Sequence, residues 1–221
     1  MAVLCSAALL AACGGEERQD AREPSGRFPV EVSEARFPRQ QRLAEEAYLV
    51  LSVDNEGDEQ IPDLAVTVWT QEAGSDDPPA DGSFETQSEN PGLANPNRPV
   101  WILEEGFPKK LPEGVQIPEL DDRPPGGTEA AQTNTFSFGA LAPGDETTMV
   151  WKLGAVEEGT YTVRYEVAGS LTGQAKAVTV GGGGPVEGQF TATISRRPTQ
   201  TRVNDAGRVV EGTVDSFGGG N

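Results

Sequence analysis

Short runs that alternate apolar and polar residues recur along most of this chain, and that period of two restricts its fold more than any other feature. Phe28, Val30 and Val32 alternate with Pro29, Glu31 and Ser33. Leu49, Leu51 and Val53 share one face of the run from Ala47 to Val53, and Leu64, Val66 and Val68 share one face of a run ending at Trp69. Thr135 to Phe138 follows, then a run carrying Thr147, Met149, Trp151 and Leu153, and another carrying Tyr161, Val163, Tyr165 and Val167. Two last runs cover Ala175 to Val180 and Phe190 to Ile194. Successive side chains of an extended backbone point to opposite faces, so each run lays one apolar stripe against a core. Turn signals separate them: Asp54-Asn55-Glu56-Gly57-Asp58, Leu141-Ala142-Pro143-Gly144-Asp145, and Gly159. Pro presets φ at such places, and Gly and Asn accept positive φ. Residues 39–46 (RQQRLAEE) are expected to form one helical turn. Seven or eight short strands with little helix predict an all-β fold, a two-sheet sandwich in preference to a barrel.

Residues 71–133 break the pattern. They hold ten of the 17 prolines, 13 acids and four bases. Proline at that density blocks helix interiors and central strands, so a long Pro-rich acidic insertion is expected inside the sandwich. Its exception is Pro99-Val100-Trp101-Ile102-Leu103, an apolar knot expected to dock back onto the sheet.

Several chemistries are excluded by what the chain lacks. It has no histidine, and its two cysteines, Cys5 and Cys13, both lie in the first 13 residues. Ser-His-Asp and Cys-His arrangements, His-based zinc sites and body disulfides are therefore absent. The net charge of -18 repels phosphate backbones, so nucleic acid is not an expected partner.

The N-terminus points to a location. Ala2 to Ala12 is apolar or small and too short to span a bilayer as a helix, which needs about 20 residues. It fits the apolar core of a secretory signal. It ends in Leu10-Ala11-Ala12-Cys13-Gly14-Gly15, which resembles the bacterial lipobox. The resemblance implies a signal peptide over residues 1–12, cleavage before Cys13, and lipid on the Cys13 thiol. The membrane would then be a partner through that lipid, on the extracytoplasmic face of the cell envelope. Only the Met1 amine is positive ahead of the apolar run, so the true start codon is expected upstream. Residues 13–27 read as a flexible tether.

Leu49-x-Leu51-x-Val53-x-Asn55-x-Gly57 followed by Val66-Thr67-Val68 resembles the opening of bacterial cell-surface immunoglobulin-like repeats. Leu141-x-Pro143-Gly144-Asp145, Trp151 and Gly159-Thr160-Tyr161-Thr162-Val163 resemble their second half. The resemblance implies an immunoglobulin-like sandwich over residues 28–182, with residues 183–221 as an extra strand and a frayed Gly-rich tail. It also implies a non-catalytic structural, adhesion or interaction role, and an envelope protein or glycan as partner. It carries over no functional residue.

The residues themselves offer few sites. Trp69 and Trp101 are nearer the surface than Trp151 but are expected to be buried; in the alternative reading they stack on a small ligand or sugar, beside the acidic insertion. Trp151 and Tyr48 complete the aromatic set, with Trp151 expected in the core. Asp54 to Glu59 lacks the spacing of a calcium loop and reads as a turn. Asp76, Asp77, Asp81, Asp121 and Asp122 carry calcium-ligating oxygens but read as solvated loop. Adjacent acids such as Glu104-Glu105 do not make a glycosidase pair by adjacency alone. Gly181 to Gly184 lacks the Lys-Ser/Thr and helix of a phosphate loop and reads as a flexible connector. No cofactor and no metal is expected.

Overall fold

The computed structural model describes residues 24–74, 84–85, 99–112, 115–117, 129–132, 134–196, 201–204 and 206–211. Cys13 and its flanking signal lie outside these residues. The strands are β1 (Gly26–Arg36), β2 (Gln40–Arg42), β3 (Glu46–Asn55), β4 (Ala65–Glu72), β5 (Phe84–Glu85), β6 (Trp101–Leu103), β7 (Lys109–Leu111) and β8 (Glu129–Gln132). They continue with β9 (Thr135–Ser137), β10 (Glu146–Ala155), β11 (Gly159–Ala168), β12 (Ala175–Thr179), β13 (Val186–Ser195), β14 (Thr201–Val203) and β15 (Val209–Glu211).

Two sheets face each other. One runs β12-β1-β3-β10-β6-β5, with β7 also pairing with β10, and the other runs β2-β13-β11-β4-β9-β8. All eight alternating segments of the sequence are strands, and their apolar stripes meet between the sheets. Leu49, Leu51 and Val53 of β3 and Met149, Trp151 and Leu153 of β10 face Val66 and Val68 of β4 and Val163 of β11, all fully buried.

The strand order is that of an immunoglobulin-like sandwich. β1, β3 and β10 occupy the places of strands A, B and E, and β4, β11 and β13 those of C, F and G. β6, from the insertion, fills the D position beside β10. β9 lies beside β4 in the C′ position, although it follows β6 in the chain. Near the start of β11 the Tyr161 hydroxyl donates to the Glu158 carbonyl at 2.9 Å, the tyrosine corner that marks strand F in this fold.

Six features differ from the sequence reading. The sandwich closes only with β13, which pairs with β11 from Gly159↔Ile194 to Val167↔Val186, so it runs to Ser195 and not to 182. β1 begins at Gly26, two residues inside the expected tether, and β4 continues through Glu72 into the expected insertion. Gln40–Arg42 is a strand parallel to β13, not a helical turn; Arg39 accepts from the Thr193 N–H at 2.9 Å and Leu43 donates to the Ser195 carbonyl at 3.1 Å. After Ser195, β14 and β15 pair as a hairpin, where a frayed tail was expected. The connector at Gly181 to Gly184 is a tight turn: the Gly182 and Gly183 N–H groups both donate to the Thr179 carbonyl.

The two motif halves of the sequence meet at one buried side chain. Asn55, 1% exposed, donates through Nδ2 to the carbonyls of Glu59 at 2.9 Å and Leu141 at 3.0 Å, and its Oδ1 accepts from the Gly57 N–H at 3.0 Å. Its backbone N–H donates to Asp145 and its carbonyl accepts from Gly144. Gly144 sits at φ 75°, where a side chain would be strained. Asn55→Ala is expected to lower unfolding stability by about 2–3 kcal/mol in urea titration, since it removes three bonds at a dry site. A loss below about 0.5 kcal/mol, the range of an ordinary surface change, would contradict this role.

Candidate binding face

The two outer faces of the sandwich differ. On the first sheet Val50 and Val150 are register partners pointing away from the main core. Leu111 and Ile117 of the insertion pack over them together with Tyr48, making a second small core. β7 is stitched to β10 alongside, with Leu111 opposite Thr148. The insertion is thus partly a cover for one sheet.

The insertion also enters the main core. Trp101 is 0% exposed, and its Nε1–H donates to Gln41 Oε1 at 2.7 Å. Gln41, also buried, donates in turn to the Pro38 carbonyl at 2.9 Å. Phe37, Phe84 and Tyr161 meet the Trp101 ring edge-on at 5.5, 6.2 and 5.8 Å. The apolar knot at 99–103 therefore docks as expected. Trp101 as a surface ligand residue is corrected: the indole is consumed by the core and presents nothing to solvent. Gln41 was not legible as its partner, because its segment reads as a polar helical turn.

Trp69 differs. It lies on the outer face of the second sheet and stays half-buried. Strand register places it in a row with Arg164 and Gln189. Thr67, Glu166 and Glu187 form the row to one side, and Gln71, Thr162 and Thr191 the row to the other. Thr160, Thr193 and Gln40 make a fourth. Neighbours within a row stand about 5 Å apart and rows about 7 Å apart. The result is a shallow, polar face with hydroxyl, amide and guanidinium donors around one indole. These residues are the polar half of the alternation that marks the strands; only the register that aligns them is missing from the sequence. Beneath the face, burial raises the Tyr165 hydroxyl above its ordinary pKa. Gly188 leaves room for that ring, where a Cβ would overlap its hydroxyl.

The acids serve other ends. Lys152 bridges Glu104 at 3.1 Å and Glu46 at 3.2 Å, so Glu104 ties the insertion to the first sheet. The Asp54 to Glu59 segment is the turn organised by Asn55. Asp76, Asp77, Asp81, Asp121 and Asp122 lie outside the described residues. Among the described residues no three metal-ligating side chains come together, and no helix is long and apolar enough to cross a membrane.

No protein-family model and no curated protein matches this chain. Among solved structures it is similar to the CARDB domain of a Pyrococcus furiosus protein in complex with di-metal ions, at TM-score 0.40 and 11% identity, over 77% of this chain and 94% of that one. It is also similar to a cohesin module of a Clostridium perfringens family 33 glycoside hydrolase, at TM-score 0.40 and 6% identity, over 77% and 98% of the two chains. A third likeness is to Escherichia coli α2-macroglobulin, at TM-score 0.37 and 15% identity, over 79% of this chain but 7% of that one.

The buried indoles make a paired prediction. Trp101 Nε1 has an acceptor, whereas the buried Trp151 Nε1 has none among the described residues. Trp101→Phe strands the Gln41 carbonyl oxygen, an added cost of about 1–3 kcal/mol beyond lost packing, while Trp151→Phe discards an unpaired donor. Chemical denaturation should therefore find Trp101→Phe the more damaging change, and the reverse order would contradict the assigned bond.

Proposed function

We propose that this protein is a lipid-anchored, extracytoplasmic interaction module that works by binding and not by catalysis. The observation that carries the binding reading is the contrast between the outer faces. One is apolar at Val50 and Val150 and covered by the insertion, whereas the other is polar, with Arg164 exposed and Trp69 partly so. A partly exposed indole beside an exposed guanidinium has the composition of an interface centre, where Trp and Arg are enriched. The anchor is supported by the likeness of Leu10-Ala11-Ala12-Cys13 to a lipobox. Lipid on Cys13 would hold the sandwich at the envelope surface, with an envelope protein or glycan as its partner. Trp69 also favours a second reading, in which the face takes a carbohydrate: a sugar ring stacks on the indole while Gln71, Thr162 and Gln189 meet its hydroxyls.

Two tests separate anchor from face. Cys13→Ser should shift the protein from the membrane fraction to the soluble fraction of its native host; unchanged membrane association would end the anchoring claim. Trp69→Ala should leave stability within about 1 kcal/mol, because the ring is not core. If the face takes sugar, the same change should abolish wild-type signals on a glycan array, and signals that survive it would exclude stacking at Trp69.

A further inference from the structure

We infer that the open edge of β13 is a docking site for an extended segment of another polypeptide, which joins the second sheet as an added strand. The inference deepens the reading of the domain as a binding module and names the class of partner. β2 covers β13 only at Thr193, Ile194 and Ser195. The chain that forms β2 arrives from the first sheet, crossing at Phe37 and Pro38, so it reaches β13 too late to cover Val186 to Ala192. The Thr193 N–H points toward β2, where it meets Arg39. β13 pairs with β11 without a register shift, so every second residue repeats that direction. The backbone N–H and C=O of Glu187, Gln189 and Thr191 therefore point out along this edge, and none has a partner among the described residues.

Natural sheets guard such edges with lysine, proline, bulges or very short strands. This stretch has none of these, and only Glu187 on it is charged. Beside it lies a groove of about 430 Å³, lined by Phe37, Arg39, Gln40, Gln189, Phe190 and Thr191 among others. Phe37 and Phe190 form its apolar floor, with ring centroids 6.0 Å apart. Unpaired backbone groups flanked by a side-chain pocket are the two elements of recognition by strand addition. The backbone ladder supplies affinity, and the groove selects an apolar side chain. Arg39, exposed at the mouth and without an ion pair among the described residues, selects an acidic neighbour.

The test selects a phage-displayed library of random short peptides on the full chain. Enriched peptides should carry an apolar residue and an acid in an alternating pattern. Thr191→Pro deletes one edge donor and no bond to β11, and should weaken a synthetic enriched peptide about tenfold. Thr191→Val keeps the N–H and should recover most of the affinity that Thr191→Pro loses. In the saturated complex, exchange at the Gln189 and Thr191 amides should slow, and this readout decides alone if Thr191→Pro fails to fold. Absence of enrichment, or equal binding to Thr191→Pro, overturns the proposal. So does protection of these amides in the peptide-free protein: protection that rises with concentration assigns the edge to a second copy, and constant protection assigns it to this chain. A peptide lost by Trp69→Ala but kept by Thr191→Pro belongs to the outer face, which ends the edge proposal and leaves the module reading intact.

Discussion

The side-chain amide of Asn55 sets the register on which the sandwich depends. It sits where β3 ends and binds the loop that feeds β10, so the two central strands of the first sheet begin their pairing at one defined step. A slip of β10 by one residue against β3 would turn Trp151 and Met149 to the outside and bring Val150 and Lys152 toward the core. The acids around Asn55 stay at the surface because the turn is made by an amide and backbone groups.

The second constraint is aromatic. Trp101 reaches the core from a segment whose composition is that of a loop, and Gln41 meets it from the crossover between sheets. A buried indole N–H needs an acceptor, and Gln41 supplies one while donating to Pro38. This short relay binds three parts of the chain distant in sequence: the crossover, the insertion and, through ring contact with Tyr161, the start of β11. The insertion is therefore structural over part of its length. Residues 101–103 extend the first sheet, and Leu111 and Ile117 shield its outer face.

How much of this was legible follows from what alternation encodes. Leu49-Leu51-Val53 and Tyr161-Val163-Tyr165-Val167 each announce a strand and its buried face, and both are as expected. Alternation does not encode partners, so the row joining Trp69, Arg164 and Gln189 becomes visible only once β4, β11 and β13 are aligned. β13 was only half seen because Gly188 interrupts its apolar stripe, and that gap exists to admit Tyr165. Gln40–Arg42 carries no apolar stripe at all; it is held as a strand by backbone bonds to Thr193 and Ser195, a long-range cause that local propensity cannot report. The partners of Trp101 stay hidden in the sequence for a similar reason, since its proline-rich neighbours describe the loop and not the cavity it fills.

The edge position of β12 also bears on mechanics. β1 lies between β12, which runs parallel to it, and β3, which runs antiparallel. A pull applied to the chain ahead of Gly26 acts along the axis of β1, where Gly26 to Val30 are bonded to β12 and Val30 to Arg36 to β3. The two ladders lie end to end along the strand, so tension reaches β12 first and passes to β3 through Val30. Under such shear the bonds of one ladder share the load, so β1 resists a pull from its own end better than it would resist being peeled away sideways.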